Sequence, residues 1–268
     1  MGGKSWTNVA RIVETMPDPL RALRSSVDRL ANLVRPLDDV AVTGRAYPSQ
    51  WTIADVLSHL GSGAVIAQRC VDDALSGSPT PEDFNAGVWD EWNAKSPRIK
   101  VDDGLLADGA FVARLEAVAP GERARFRTSM GPFEFDWDAF VGMRLNEHLL
   151  HEWDVIVSVD PAATLDADGT ALVVDNLELI GRFTAKSTGD PRAIAVGTTD
   201  PDRSFTVTVE PGAVTFAPAA SAAAPDLSMP AESFVRLVYG RLDPDHTPPS
   251  VTGDPAALQQ LRAVFPGP

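Results

Sequence analysis

The chain has 268 residues, 44% of them hydrophobic and 22% charged, the composition of an ordinary soluble globular protein with room for two domains. Its 37 acidic against 23 basic side chains give a net charge of −14, which argues against nucleic acid, whose phosphates need clustered Lys and Arg, and against an anionic membrane surface. No apolar run approaches the roughly 20 residues of a membrane span, the opening MGGKSWTNVARIVE is no secretory signal, and the single cysteine, Cys70, allows no internal disulfide; the expected location is the cytoplasm.

The first predicted helix starts at Asp18, an N-cap, with Pro19 at the first helical position. Leu20, Leu23, Val27, Leu30 and Val34 recur at steps of three and four, and Pro36 stops the helix. A second helix runs from Thr52, with Asp55 placed for a capping box, to just before Gly77. Residues 77–100 read as a long connection holding at most one short helix. A third helix spans Gly104 to Val118, burying Leu105, Leu106, Phe111, Val112, Leu115 and Val118. Residues 123–136 read as a hairpin turning at Met130-Gly131. A fourth helix covers Trp137 to Val159 and a fifth Gly169 to Thr184.

From Arg192 the period changes to two. AIAVG, SFTVTVE and AVTFAP read as strands, with a Pro-Gly turn at 211–212 and a loop at 220–225. Ser228 to Tyr239 reads as a helix, SVTGD as a strand or turn, and Pro255 to Val264 as a closing helix. The expected fold is therefore a mainly α, up-and-down N-terminal helical bundle over residues 1–187, followed by a small α+β C-terminal domain over residues 188–268.

Of the four histidines, His59 lies in an inward row of the second helix with Val56, Gly63 and Ile66. On the fourth helix, Phe140, Met143, Glu147, His151 and Val155 form a similar row, and Glu147 and His151 project from one face a turn apart. A carboxylate and two imidazoles in apolar rows are costly unless paired or ligated. Ligation to a divalent ion answers that cost, because two imidazoles and one carboxylate leave an open coordination position, the plan of catalytic zinc. Asp55 and Asp154 are candidates to take the other ring nitrogens of His59 and His151. The plainer reading is a satisfied core histidine beside a surface ion pair. His148 faces about 100° away and reads as a flanking contact, His246 as a surface loop residue, Cys70 as inert, and Trp51 and Trp153 as packing anchors.

These residues resemble a known family. WTIADVLSHL and RLNEHLLHEWDV, about ninety residues apart, resemble the metal-binding domain of the mycothiol-dependent maleylpyruvate isomerases, of the DinB/YfiT-like bundle superfamily. Trp51, Asp55, Val56, His59 and Leu60, then Arg144, Glu147, His151, Trp153 and Asp154, fill the family pattern. The tail from LVYGRLDPDH onward is similar to the family's sterol-carrier-like C-terminal domain. The resemblance implies Zn2+ or another divalent metal on His59, Glu147 and His151, with a mycothiol-like thiol as cosubstrate. It implies thiol-assisted cis–trans isomerisation of a small anionic electrophile, with Arg241, or else Arg144, binding the substrate carboxylates. A thiol S-transferase and a non-catalytic metal- or ligand-binding protein share the same pattern.

Overall fold

A computed structural model describes residues 18–130, 133–219 and 224–267. The expectations for the leader segment, the Met130-Gly131 turn and the 220–225 loop fall wholly or partly outside those residues. Helix α1, Pro19–Val34, begins as its sequence dictates, with the Asp18 side chain accepting from the Leu20 N–H at 3.0 Å. Its five apolar repeat positions are all buried. Helix α2, Ile53–Ser76, opens on a reciprocal capping box between Thr52 and Asp55. It ends at Gly77, whose φ of +72° is the left-handed cap that favours glycine.

The region expected to be mostly loop is helical. Helix α3 spans Phe84–Asn93, and α4 spans Pro97–Glu116, starting seven residues before the expected Gly104. Its buried row is Val101, Gly104, Asp108, Phe111, Val112 and Leu115, a helical repeat in which two members are not hydrophobic. Leu106, expected inside, is 71% exposed. Gly104 is there for contact: a Cβ on it would lie 2.6 Å from the Leu57 carbonyl oxygen, so α2 and α4 touch backbone to backbone. The expected hairpin is shorter than its sequence suggested, because Pro120–Arg125 forms helix α5 and leaves only β1, Thr128–Met130, and β2, Phe133–Phe135.

Helix α6, Trp137–Ile156, packs against α1 and α2 to complete the bundle. The single helix expected at 169–184 is two, α7, Ala167–Val173, and α8, Leu177–Thr184, separated by a 3-10 turn at Val174–Asn176. Strands β3, Arg192–Thr199, β4, Arg203–Glu210, and β5, Ala213–Pro218, form an antiparallel meander. Beside β3 runs β6, Leu227–Pro230, in parallel, where a helix start was expected; β7, Thr252–Gly253, closes the order β5-β4-β3-β6-β7. Leu227 and Met229 alternate inward with Ser228 and Pro230, a strand pattern too short to stand out.

Helix α9, Ala231–Val238, is buried along its whole length between this sheet and the bundle, and α10, Pro255–Val264, packs beside it. Phe234 meets Phe205 and Phe216 of the sheet, while the Arg236 guanidinium lies 4.9 Å over the Trp153 ring of α6. One hydrophobic cluster runs from α1 and α6 into the sheet, so the tail is packed onto the end of α6 that carries His151 and Asp154. Among the described residues no helix is long and apolar enough to cross a membrane.

Candidate metal centre

Helices α2 and α6 bring His59, Glu147 and His151 together, each offering one ligand atom within 4.8 Å of the others. His59 Nε2 lies 3.2 Å and His151 Nε2 3.7 Å from the same Glu147 Oε2, with ring centroids 4.6 Å apart. Donor atoms around a tetrahedral ion with bonds of about 2.0–2.1 Å stand about 3.3 Å apart, so this donor set fits a divalent metal with a small adjustment.

The tautomer of His151 is set from behind. Its Nδ1 is 2.8 Å from Asp154 Oδ2, which accepts its proton and leaves Nε2 as a lone pair facing Glu147 and His59. Burial holds the His151 pKa below the ordinary histidine value although Asp154 pulls the other way, so the ring is neutral near pH 7. Burial also works to raise Glu147, but the histidines and Arg144 outweigh it and bring its pKa down to about 2. The Glu147 side chain is still 44% exposed, so water screens part of that attraction. Trp51 stacks over His151 at 5.8 Å and tilts against His59 at 5.3 Å, roofing the two imidazoles. From the residues alone Trp51 reads as a packing anchor, because it sits in a loop outside any periodic row; only the family pattern singles it out.

Arg241, the first candidate to bind substrate, is engaged within the protein. It is buried, and its Nε and Nη2 each donate to Asp154 at 2.7 Å, the same carboxylate that orients His151. Arg144 is buried beside the site, with Nη2 donating to the Leu60 carbonyl at 2.6 Å and to Asp108 at 2.8 Å. Asp55 does not reach His59: it is held by the Thr52 cap and by Lys100 at 2.8 Å. His246, expected on the surface, is half-buried, because a 3-10 turn at Pro244–His246 folds it back against Tyr47 and Trp153. His148 turns away from the ligands, as its 100° offset requires, and is fully buried against Ser26 at 2.7 Å.

The rows holding the ligands face a cavity of about 490 Å³ rather than a closed core, which is why Met143 and Glu147 are only half-buried. Ile66, Ala67, Phe140 and Met143 give it apolar walls, Glu147 and Arg144 lie at its metal-site end, and Cys70 lines it further along. Cys70 Sγ is 3.0 Å from the Thr128 hydroxyl. The site thus joins three side chains that could hold a metal ion to a space the size of a small molecule.

Comparison with known proteins agrees with this architecture. Residues 23–156 match the mycothiol maleylpyruvate isomerase N-terminal domain, and residues 165–260 match the C-terminal domain of the same family. Two solved structures, of a mycothiol-dependent maleylpyruvate isomerase and of a histidine-to-alanine mutant of it, superpose with a TM-score of 0.59 at 14% identity, covering 83% of this chain and 88% of theirs. Two uncharacterized proteins from strains of Mycobacterium tuberculosis are 26% identical over 155 residues, 56% of this chain and 72% of each of them.

Proposed function

The chain belongs to the mycothiol maleylpyruvate isomerase family, and from that premise we propose that it is a divalent-metal-dependent enzyme that uses a low-molecular-weight thiol, mycothiol or a close equivalent, on a small electrophile. The observation that carries this reading is the convergence of His59, Glu147 and His151 within 4.8 Å of one another, with Glu147 also lining the cavity. The three side chains would hold the ion, zinc by its preference for imidazole and carboxylate in a tetrahedral set. Once bound, the ion would supply Lewis acidity, lowering the pKa of a thiol so that it reacts as a thiolate.

The chain's own groups do the rest. Asp154 keeps His151 in the Nδ1–H tautomer, so Nε2 remains a donor to the centre. Glu147, ionised at neutral pH, supplies the one negative charge of the donor set. Trp51 packs against both imidazoles and fixes their faces, leaving His59 open to solvent. In a maleylpyruvate-isomerase-like reaction, the thiolate sulfur bonds to one carbon of an activated double bond. The adduct rotates about the resulting single bond, and the sulfur leaves with its electron pair, so that no atom is gained or lost. Retention of the adduct would make the same site an S-transferase.

Titration of the cobalt-substituted protein with a low-molecular-weight thiol tests the reading. A sulfur-to-cobalt charge-transfer band that saturates with thiol, and is lost in Glu147→Gln, is expected. A spectrum unmoved by any thiol would leave a metal- or ligand-binding protein instead.

A further inference from the structure

We propose that the cavity beside Glu147 receives an uncharged α,β-unsaturated carbonyl compound with an apolar body, its carbonyl oxygen held by Arg144, rather than a dicarboxylate; this rests on the thiol-dependent reading above. The walls supply the first argument. Ile66, Ala67, Phe140 and Met143 present hydrocarbon and thioether surface, Thr80, Asn85 and Ser129 add uncharged polar groups, and among the described residues only Arg144 and Glu147 bring ionised groups to the lining. A dicarboxylate would place two further negative charges beside Glu147 with a single cation to receive them, and a buried carboxylate without a partner is strongly disfavoured.

That cation is already half-committed. Arg144 Nη2 is taken by Asp108 and the Leu60 carbonyl, and Asp108, wholly buried, is held ionised: burial opposes this, but His148 and Arg144 outweigh it. Arg144 and Asp108 therefore make a neutral pair. Two nitrogens remain: Nε, which is buried and without a partner among the described residues, and Nη1, which has no hydrogen bond among them and lies against Gly63 at the cavity wall, 2.8 Å from where a Cβ would stand. Nη1 can donate to a carbonyl oxygen, while the charge of the guanidinium is already met by Asp108. Arg241 does not add a second charge, since its Nε and Nη2 are bonded to Asp154, its Nη1 to the Tyr239 carbonyl, and it does not line the cavity. A divalent ion would be balanced by Glu147 and a thiolate, which again leaves the space neutral.

For such a substrate the step closes without another reactant. The thiol sulfur bonds to the β-carbon, the π pair passes through the carbonyl whose oxygen Arg144 holds, and the thiol's proton ends on the α-carbon.

Cys70, the chain's one cysteine, lies in the same cavity and reports its occupancy. The test measures the rate of Cys70 labelling by a disulfide reagent on the full chain, with 2-heptanone or succinate as unreactive probes. At four times its dissociation constant a bound probe slows labelling by about fivefold. The ketone is expected to protect, succinate to leave the rate within twofold, and Ala67→Phe, which fills the cavity, to abolish protection. Equilibrium dialysis of the same two probes gives the same order however fast Cys70 reacts. Succinate binding as well as the ketone, or ketone binding unchanged in Ala67→Phe, would overturn the proposal. A thiol response in the cobalt form alongside a preference for succinate would sink this proposal alone. Ketone selectivity without a thiol response would support it and sink only the catalytic reading.

Discussion

Arg241, from the tail, closes on Asp154, from the bundle, through two hydrogen bonds of 2.7 Å, and Asp154 passes its second contact to His151. The tail thus reaches the candidate metal centre through the carboxylate that orients His151. Asp154→Asn should weaken metal affinity by about 10–100-fold, the usual effect of losing such a partner. Arg241→Ala leaves a buried carboxylate unpaired, and should lower stability by about 3–5 kcal/mol together with metal affinity. Calorimetric unfolding and metal competition with a chromophoric chelator measure both. An Arg241→Ala protein that keeps its metal affinity and loses only anion binding would assign Arg241 to substrate instead.

Acid should loosen the same clasp. Asp154 is buried, which alone would raise its pKa, but Arg241 and His151 outweigh burial and hold it below the ordinary carboxylate value. A depressed carboxylate pKa contributes stability that is present above the unfolded value, about 3.9, and is lost as pH falls through the folded value. The stability of the metal-free chain is therefore expected to drop more steeply below about pH 4 than that of Asp154→Asn, which has no such proton to take up. Parallel acid-unfolding curves for the two proteins would contradict this assignment.

The approach of α2 to α4 sets where His59 stands, and it depends on small residues. A Cβ on Gly61 would lie 2.3 Å from the Trp92 ring and 2.7 Å from the Gly104 Cα. Gly61→Ala should cost about 1–3 kcal/mol by overpacking, whereas Gly87→Ala, with nothing within 4 Å, should be nearly neutral or stabilising in its helix. Urea denaturation of the two variants reads the difference.

Much of this arrangement is legible in the sequence, for reasons that also explain what is not. The apolar repeat of α1, the Thr52 cap of α2 and the Glu147/His151 step on α6 are local, and local patterns survive folding. The start of α4 is hidden because its buried row includes Gly104 and Asp108, placed by close backbone contact and by Arg144 rather than by hydrophobicity. Strand β6 is four residues long and owes its conformation to pairing with β3. Asp55 lies one turn from His59 and is an attractive partner on paper, but Lys100, 45 residues away, claims it. Arg241 was expected on the substrate because nothing local shows that Asp154, 87 residues earlier, is its partner.

Metal content by elemental analysis of the purified chain and three histidine variants tests the central claim most directly. One divalent ion per chain is expected in the parent, with loss in His59→Ala and in His151→Ala, whose Nε2 atoms face Glu147. His148→Ala removes a fully buried ring packed against Ser26, whose hydroxyl keeps its bond to Glu152, so it should lower stability by about 2–4 kcal/mol through a cavity while keeping the ion. No stoichiometric metal in the parent, or metal retained by both His59→Ala and His151→Ala, would contradict the account.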